Sequence, residues 1–173
     1  MPIVKELKGI KPKIAQNVFL AENCAIIGDV EIGEGSSIWY NAVLRGDVHY
    51  IRIGKDCNIQ DGVVIHCTYQ KYPTIIKDRV SIGHSAVVHA CTIESDVLIG
   101  MGAIVMDNCH IHSNSLIAAG SVVVPGTIVE PNSVYAGIPA RKVKDIDPKL
   151  LETIHQTTKH YKYYVTWYEY PDK

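Results

Sequence analysis

This chain reads as an all-β solenoid, a parallel β-helix of hexapeptide repeats followed by a C-terminal α-helix. Three observations carry that reading. Aliphatic residues recur every six positions, small or β-branched residues run two positions ahead of them, and one amphipathic stripe follows the last repeat. Composition agrees, because a single Phe and three Met beside abundant Ile and Val describe a β-branched core, and hence strands.

The aliphatic column runs Ile26, Ile32, Ile38, Leu44, slips, and resumes at Ile53, Ile59 and Ile65. After a second irregular stretch come Ile76 and Ile82, then Ile93, Ile99, Val105, Ile111, Ile117, Val123 and Val129. Neither a helical period nor strand alternation produces this register. Two positions ahead sit Cys24, Val30, Ser36, Ala42, Cys57, Val63, Cys91, Val97 and Cys109, among others. Gly often follows the aliphatic, as at Gly33, Gly54, Gly83 and Gly100, where the backbone is expected to bend sharply. Hexapeptide periodicity is the mark of a β-helix whose coils bury stacked side chains, with three hexads per coil making a triangular prism. Its flat apolar flanks favour an oligomer.

The repeats close at Tyr135-Ala136-Gly137-Ile138-Pro139-Ala140-Arg141. Asp147-Pro148 then reads as an N-cap with Pro in the first helical turn. Leu150, Ile154, Thr157, Tyr161, Tyr164 and Tyr168 form one stripe on a helix over about 147–169, with Pro171 just past its end. The chain of 173 residues is expected to be one domain, with the solenoid over about 10–140.

With 17 Lys and Arg against 18 Asp and Glu, the charge leaves no footprint for nucleic acid or an anionic membrane. No apolar run is long enough to span a bilayer, and the first residues do not resemble a signal peptide. Five Cys cannot all pair within the chain, which favours a reducing cytoplasm. Cys24, Cys57, Cys91 and Cys109 lie in the small inward column, while Cys67 stands off it beside His66.

The chemistry is expected at three histidines. His66 directly follows the column residue Ile65, and His84 lies eighteen residues later, nominally one coil. His89 follows in a stretch where Ile82 to Ile93 spans eleven residues instead of twelve. Each alone reads as a turn or core histidine. Together, near one level of the prism and with polar neighbours, they are the ligand set of a catalytic divalent metal with one open position, zinc first. His49, His110 and His112 read as solvated turn residues, and His155 and His160 as helix-face residues. Arg45-Gly46-Asp47 and Asn58-Ile59-Gln60-Asp61-Gly62 form a charged seam between coils or subunits.

Leu44 to Asp47, Asn58 to His66 and Ile82 to His89 together resemble the γ-class carbonic anhydrases, and Ala136 to Ala140 is similar to the closing segment of hexapeptide-repeat proteins more widely. The resemblance spans about residues 10–168. It implies a left-handed β-helix, a homotrimer, and a metal at each subunit interface, held by His66 and His89 of one subunit and His84 of the next. It implies Zn²⁺, with Fe²⁺ or Co²⁺ as alternatives, and CO₂ hydration to bicarbonate. Gln60 would contact the metal-bound water, Arg45 and Asp47 would pair across the trimer with Asp61 in the same polar set, and Tyr161 would reach toward the site. The prototype's acidic loop with its proton-shuttle Glu is here only Thr68 to Thr74, without a carboxylate, and Val48 replaces a second Glu. Turnover is therefore expected to depend on buffer, on Tyr161 or on an exposed imidazole. Two alternatives stand beside this reading: a coenzyme A-dependent acyltransferase or thioesterase, and a non-catalytic metal-binding trimer.

Overall fold

The computed structural model describes residues 1–169. The chain winds into a left-handed parallel β-helix of about seven turns, with a single helix at its C-terminal end. Each coil lays a short strand on each of three faces, and strands of successive coils pair in parallel. Phe19 pairs with Ser37, Leu98 with Leu116 and Leu116 with Val134, each eighteen residues on. The aliphatic column fills the interior: Ile26, Ile38, Leu44, Ile59, Ile65, Ile82, Ile99, Ile111 and Ile117 are fully buried. A fully buried side chain of this size contributes about 1.5–3 kcal/mol, so the stacked column is the main source of stability.

The small column lies inward as well, and its four cysteines are buried free thiols, as is Cys67. The hydroxyls among them bond to backbone carbonyls, as Ser36 to Gly54 (2.9 Å) and Ser115 to Glu130 (2.8 Å). No buried side-chain nitrogen or oxygen among the described residues lacks a partner. Burial disfavours the thiolate, pushing the Cys24 thiol up to about 11 and that of Cys57 up to about 12.

Three departures from the eighteen-residue coil position the site. Ser37 pairs with Asn58 at twenty-one residues, because extra chain enters around Gly46–Tyr50. Val64 pairs with Val87 at twenty-three, because Tyr69–Pro73 loops out on an isolated Thr68–Tyr72 bridge. Val87 pairs with Ile104 at seventeen, one residue being lost near Ala90, whose φ is +50°. These shifts overturn the expectation that His84 stacks on His66. The residue one coil above His66 is His89, and the parallel ladder pairs the two directly.

Glycine after the aliphatic has a different cause from the sharp bend expected of it. A Cβ on Gly100 would lie 2.5 Å from the Ala119 nitrogen and one on Gly33 2.5 Å from the Gly54 oxygen, so the next coil passes too close for a side chain. Left-handed backbone falls instead at corner positions such as Asn41, Gly62, Gly102 and Gly120.

The parallel stack ends where Ser133–Gly137 pairs antiparallel with Ala140–Asp145, a hairpin that covers the last coil edge. Asp147 Oδ1 accepts from the Leu150 N–H (2.8 Å) and caps the helix Pro148–Glu169. The helix lies over the strands Ser37–Ile38 and Ser81–Ile82. Ile154 is buried beneath it, but the next buried position is Thr158, whose hydroxyl meets that of Ser81 (3.4 Å), while the Thr157 hydroxyl bonds to its own helix at Thr153. Pro171 lies outside the described residues. Among those described, no helix is long and apolar enough to cross a membrane.

Two stability predictions follow from these contacts. Gly100→Ala drives a Cβ into backbone and should cost about 1–3 kcal/mol, whereas Gly120→Ala, with φ +67° and open space, meets only left-handed strain of about 1–2 kcal/mol. Urea midpoints followed by far-UV circular dichroism should order wild type above Gly120→Ala above Gly100→Ala. The second concerns alkali. The buried thiols hold their protons more tightly folded than unfolded, where a thiol titrates near 8.5. Their contribution is thus complete below about pH 8.5 and is lost as pH rises toward the folded values. The urea midpoint should fall between about pH 9 and 11 as the Cys24 and Cys57 thiols ionise on unfolding, and fall less in the Cys57→Ser variant.

Candidate metal centre

The site is split between the two edges of one prism face. That face is built from Ala25–Ile32, Val43–Ile53, Val64–His66, Val87–His89, Ile104–Val105 and Val122–Val123. His66 and His89 end their strands at one edge. His84 lies in the corner just before Val87–His89, at the other. Five residues, of which Val87–His89 are strand, carry the chain from His84 to His89 and span at most about 17 Å. Consistent with this, no three His, Cys, Asp or Glu side chains within the described residues of one chain group to hold a cation.

At the first edge His66 Nδ1 lies 3.2 Å from His89 Nε2. His66 Nε2 meets Asp47 Oδ1 at 2.9 Å, and His89 Nδ1 meets Asp107 Oδ1 at 2.6 Å. An ionised carboxylate only accepts, so the imidazole nitrogen facing it carries the proton. Both remaining nitrogens, His66 Nδ1 and His89 Nε2, then turn lone pairs toward each other. Two nitrogens bound tetrahedrally to one cation at 2.0–2.1 Å stand about 3.3 Å apart, which is close to the separation here. The donor set therefore fits a borderline-soft divalent ion.

The carboxylates are themselves held. The Arg45 guanidinium bonds to Asp47 Oδ2, and the Thr68 hydroxyl to Asp107 Oδ2. Burial raises the Asp47 carboxyl, but the His66 and Arg45 hydrogen bonds outweigh it and leave the pKa below the ordinary value. Asp107 behaves alike, with Thr68 and His89 opposing burial. The Arg45–Asp47 pair expected between subunits lies within one chain.

At the second edge His84 Nδ1 meets Asp61 Oδ2 at 2.8 Å, and the Tyr161 hydroxyl approaches His84 Nε2 at 3.2 Å. Burial, then the charge of Asp61, pushes the Tyr161 phenol up to about 12, so it is protonated at neutral pH and donates to His84. Gln60 is buried; its Oε1 accepts from the His84 backbone N–H (3.2 Å) and its Nε2 donates to Asn58 (2.9 Å), which leaves one N–H of the amide uncommitted. In one chain Gln60, Asp61 and Tyr161 thus gather on His84, and Arg45 and Asp47 on His66 and His89. Cys67 turns away into the core, its thiol near the Tyr50 carbonyl (3.3 Å). Sequence reasoning missed Asp107, though it lies eighteen residues after His89, one nominal coil on.

Comparison with known proteins gives this arrangement its relatives. Residues 14–168 match the family model described as dynactin subunit 5. Gamma carbonic anhydrase 2, mitochondrial, from Arabidopsis thaliana is 41% identical over 155 residues, covering 87% of this chain and 56% of that protein. A Methanocaldococcus jannaschii protein named as a probable carbonic anhydrase is 53% identical over 148 residues, covering 86% of this chain and 92% of that one. The chain belongs to the family these matches define, the γ carbonic anhydrase-like hexapeptide-repeat proteins. A Bacillus cereus protein crystallised as a candidate acetyltransferase superposes with a TM-score of 0.94 at 37% identity, covering 96% of each chain. The chain thus spans little more than half the length of the plant member and nearly all of the archaeal one.

The carboxylate behind His89 sets which nitrogen is bare. Asp107→Asn keeps the shape but replaces the charged, acceptor-only group by a neutral amide that can donate as well as accept and so no longer forces the Nδ1–H tautomer, and Zn²⁺ affinity should fall about 10–100-fold. Competition against a fluorescent chelator measures it, with unchanged circular dichroism as the control.

Proposed function

We propose that the chain assembles as a trimer in which His66 and His89 of one protomer and His84 of the next hold a divalent metal, Zn²⁺ or else Fe²⁺ or Co²⁺, and that this centre hydrates CO₂ to bicarbonate. The observation that carries the proposal is the pair of imidazole nitrogens, His66 Nδ1 and His89 Nε2, 3.2 Å apart, with the third carboxylate-backed imidazole on the opposite edge of the same face. A protomer with half a site on each edge completes its sites only by head-to-tail association, and a rotation that closes on itself gives a ring. Between the edges runs an outward ladder of Val43, Val64, Val87, Ile104 and Val122, with Val64 40% and Ile104 37% exposed in the lone chain. Such an apolar strip is suited to a second copy. The names of the relatives supply the reaction.

A cation of this kind supplies Lewis-acid activation of water toward CO₂ near neutral pH. The chain's own residues do the rest. Asp47, Asp107 and Asp61 hold three imidazoles in the tautomer that leaves a nitrogen bare. Gln60, with one free amide N–H, orients water or bicarbonate beside His84. Tyr161, kept protonated, has to leave His84 Nε2 for that nitrogen to bind, and is then free to donate to the same water. The loop Thr68–Thr74 offers no carboxylate to carry a proton outward, and Asp107 nearby is committed to His89 and Thr68. Proton release therefore falls to external buffer.

The likeness to the Bacillus cereus protein favours acyl transfer as the second reading, and the same experiment separates the two. Protein purified without oxygen should carry one metal per protomer, and stopped-flow CO₂ hydration should be slow in weak buffer and rise with imidazole. Replacing His84 by Ala should abolish both metal and hydration. Acetyl transfer that survives chelation, with no hydration at any buffer strength, would establish the second reading instead. Metal binding without either activity would leave an assembly subunit.

A further inference from the structure

Beside Asp61, on the side away from the solenoid core, a cavity of about 160 Å³ opens between the helix and the prism. Its walls are Trp39, Tyr161, Tyr164, Trp167 and Tyr168, and its sixth lining residue is Asp61. The rings meet largely edge to face: Trp39 with Tyr161 at 5.3 Å and 82°, Trp39 with Tyr168 at 5.5 Å and 80°, Tyr161 with Tyr164 at 5.5 Å and 66°. Trp39 is buried beneath the cluster, and the half-exposed Trp167 and Tyr168 offer ring surface to the space. The face of an aromatic ring carries negative charge and attracts a cation within about 6 Å of its centre.

No cationic side chain among the described residues lines the cavity. Among the described residues the cations lying over aromatic rings are Arg52 on Tyr50 and Lys71 on Tyr72, both elsewhere. The one charge present is a carboxylate, 41% exposed, whose bond to His84 occupies part of its acceptor capacity. At about 30 Å³ per water the space holds about five waters, room for a nitrogen carrying four small carbon groups.

We infer that this aromatic box is a binding site for a small organic cation of the quaternary ammonium class, seated on the rings and neutralised by Asp61. Inorganic cations lose too much hydration to enter on ring faces alone, whereas a methylated ammonium is weakly hydrated and presents its charge over an apolar surface. An anionic ligand such as bicarbonate is repelled by Asp61. The cavity shares Asp61 and Tyr161 with the second edge of the proposed centre, and it is tested without metal so that the two readings fail separately.

The chain's two tryptophans, Trp39 and Trp167, both line the cavity, so intrinsic fluorescence reports on it directly. The full chain, treated with EDTA, is titrated with tetramethylammonium and with choline at constant ionic strength, against 3,3-dimethylbutan-1-ol as the neutral counterpart of choline. Saturable quenching is expected, at least about tenfold tighter for choline than for the neutral alcohol. Trp167→Leu, at a position 54% exposed, and Asp61→Asn should each weaken binding about tenfold, with far-UV circular dichroism as the check on folding. Equal binding of choline and its neutral counterpart, or no saturable signal with either cation in correctly folded protein, overturns the inference.

Discussion

The parallel backbone ladder between coils governs where every side chain of the centre sits. A strand residue in one coil is paired with one residue in the next, and side chains at paired positions stand on the same face. His66 and His89 are neighbours because five extra residues between them, Tyr69–Pro73, leave the prism and return in register. A coil of ordinary length would have set His84 above His66 and pointed a different pair of nitrogens together. The insertion is structural punctuation with a chemical result.

That dependence explains what was legible in the sequence. The solenoid was, because Ile and Val at six-residue spacing leave no competing interpretation, and the helix was, because Asp147-Pro148 marks its start. The three histidines stood out too, through neighbours such as Asp47 and Gln60, and the structure sets each of them against a carboxylate. Their partners were harder to read. Register shifts of three, five and minus one residue accumulate, and a sequence does not say whether extra residues bulge from a corner or lengthen a strand. Asp107 was hidden for a simpler reason: a lone Asp before Asn108 looks like ordinary turn chemistry until His89 is seen beneath it. Thr158 takes the buried place expected of Thr157 because a helix lying on hydroxyl-lined strands selects a residue able to meet Ser81.

Glycine shows how one residue type serves two constraints in the same repeat. At Gly33, Gly54, Gly83 and Gly100 the limit is distance, since adjacent coils run about 4.8 Å apart and a side chain there has backbone in its path. At Gly62, Gly102 and Gly120 the limit is torsion, and Asn41 and Asn108 meet the same demand in other coils. The distinction matters for the centre because its corners are built by the second kind. Asp61 and His84 sit immediately before Gly62 and Ser85, left-handed residues that turn the chain and leave the preceding side chain at the edge of the prism.

Three carboxylates behind three imidazoles point to what the arrangement is for. His49, bonded only to the next backbone N–H, has no such backing; His110 meets Glu94 at 3.0 Å, but among the described residues only His66 and His89 also turn their remaining nitrogens on one another. Holding Asp47 and Asp107 ionised against partial burial requires Arg45 and Thr68 in addition, so each bare nitrogen rests on a chain of oriented groups. Such chains are costly to build where a neutral turn would serve, because each polar group that leaves water must find a partner. Their common outcome is a set of bare nitrogens at two edges of one face: His66 and His89 turn theirs toward one another, and that of His84 meets the Tyr161 hydroxyl. A fold that needed only stability would have placed apolar residues there, as it does along Val64, Val87 and Ile104 between the two edges.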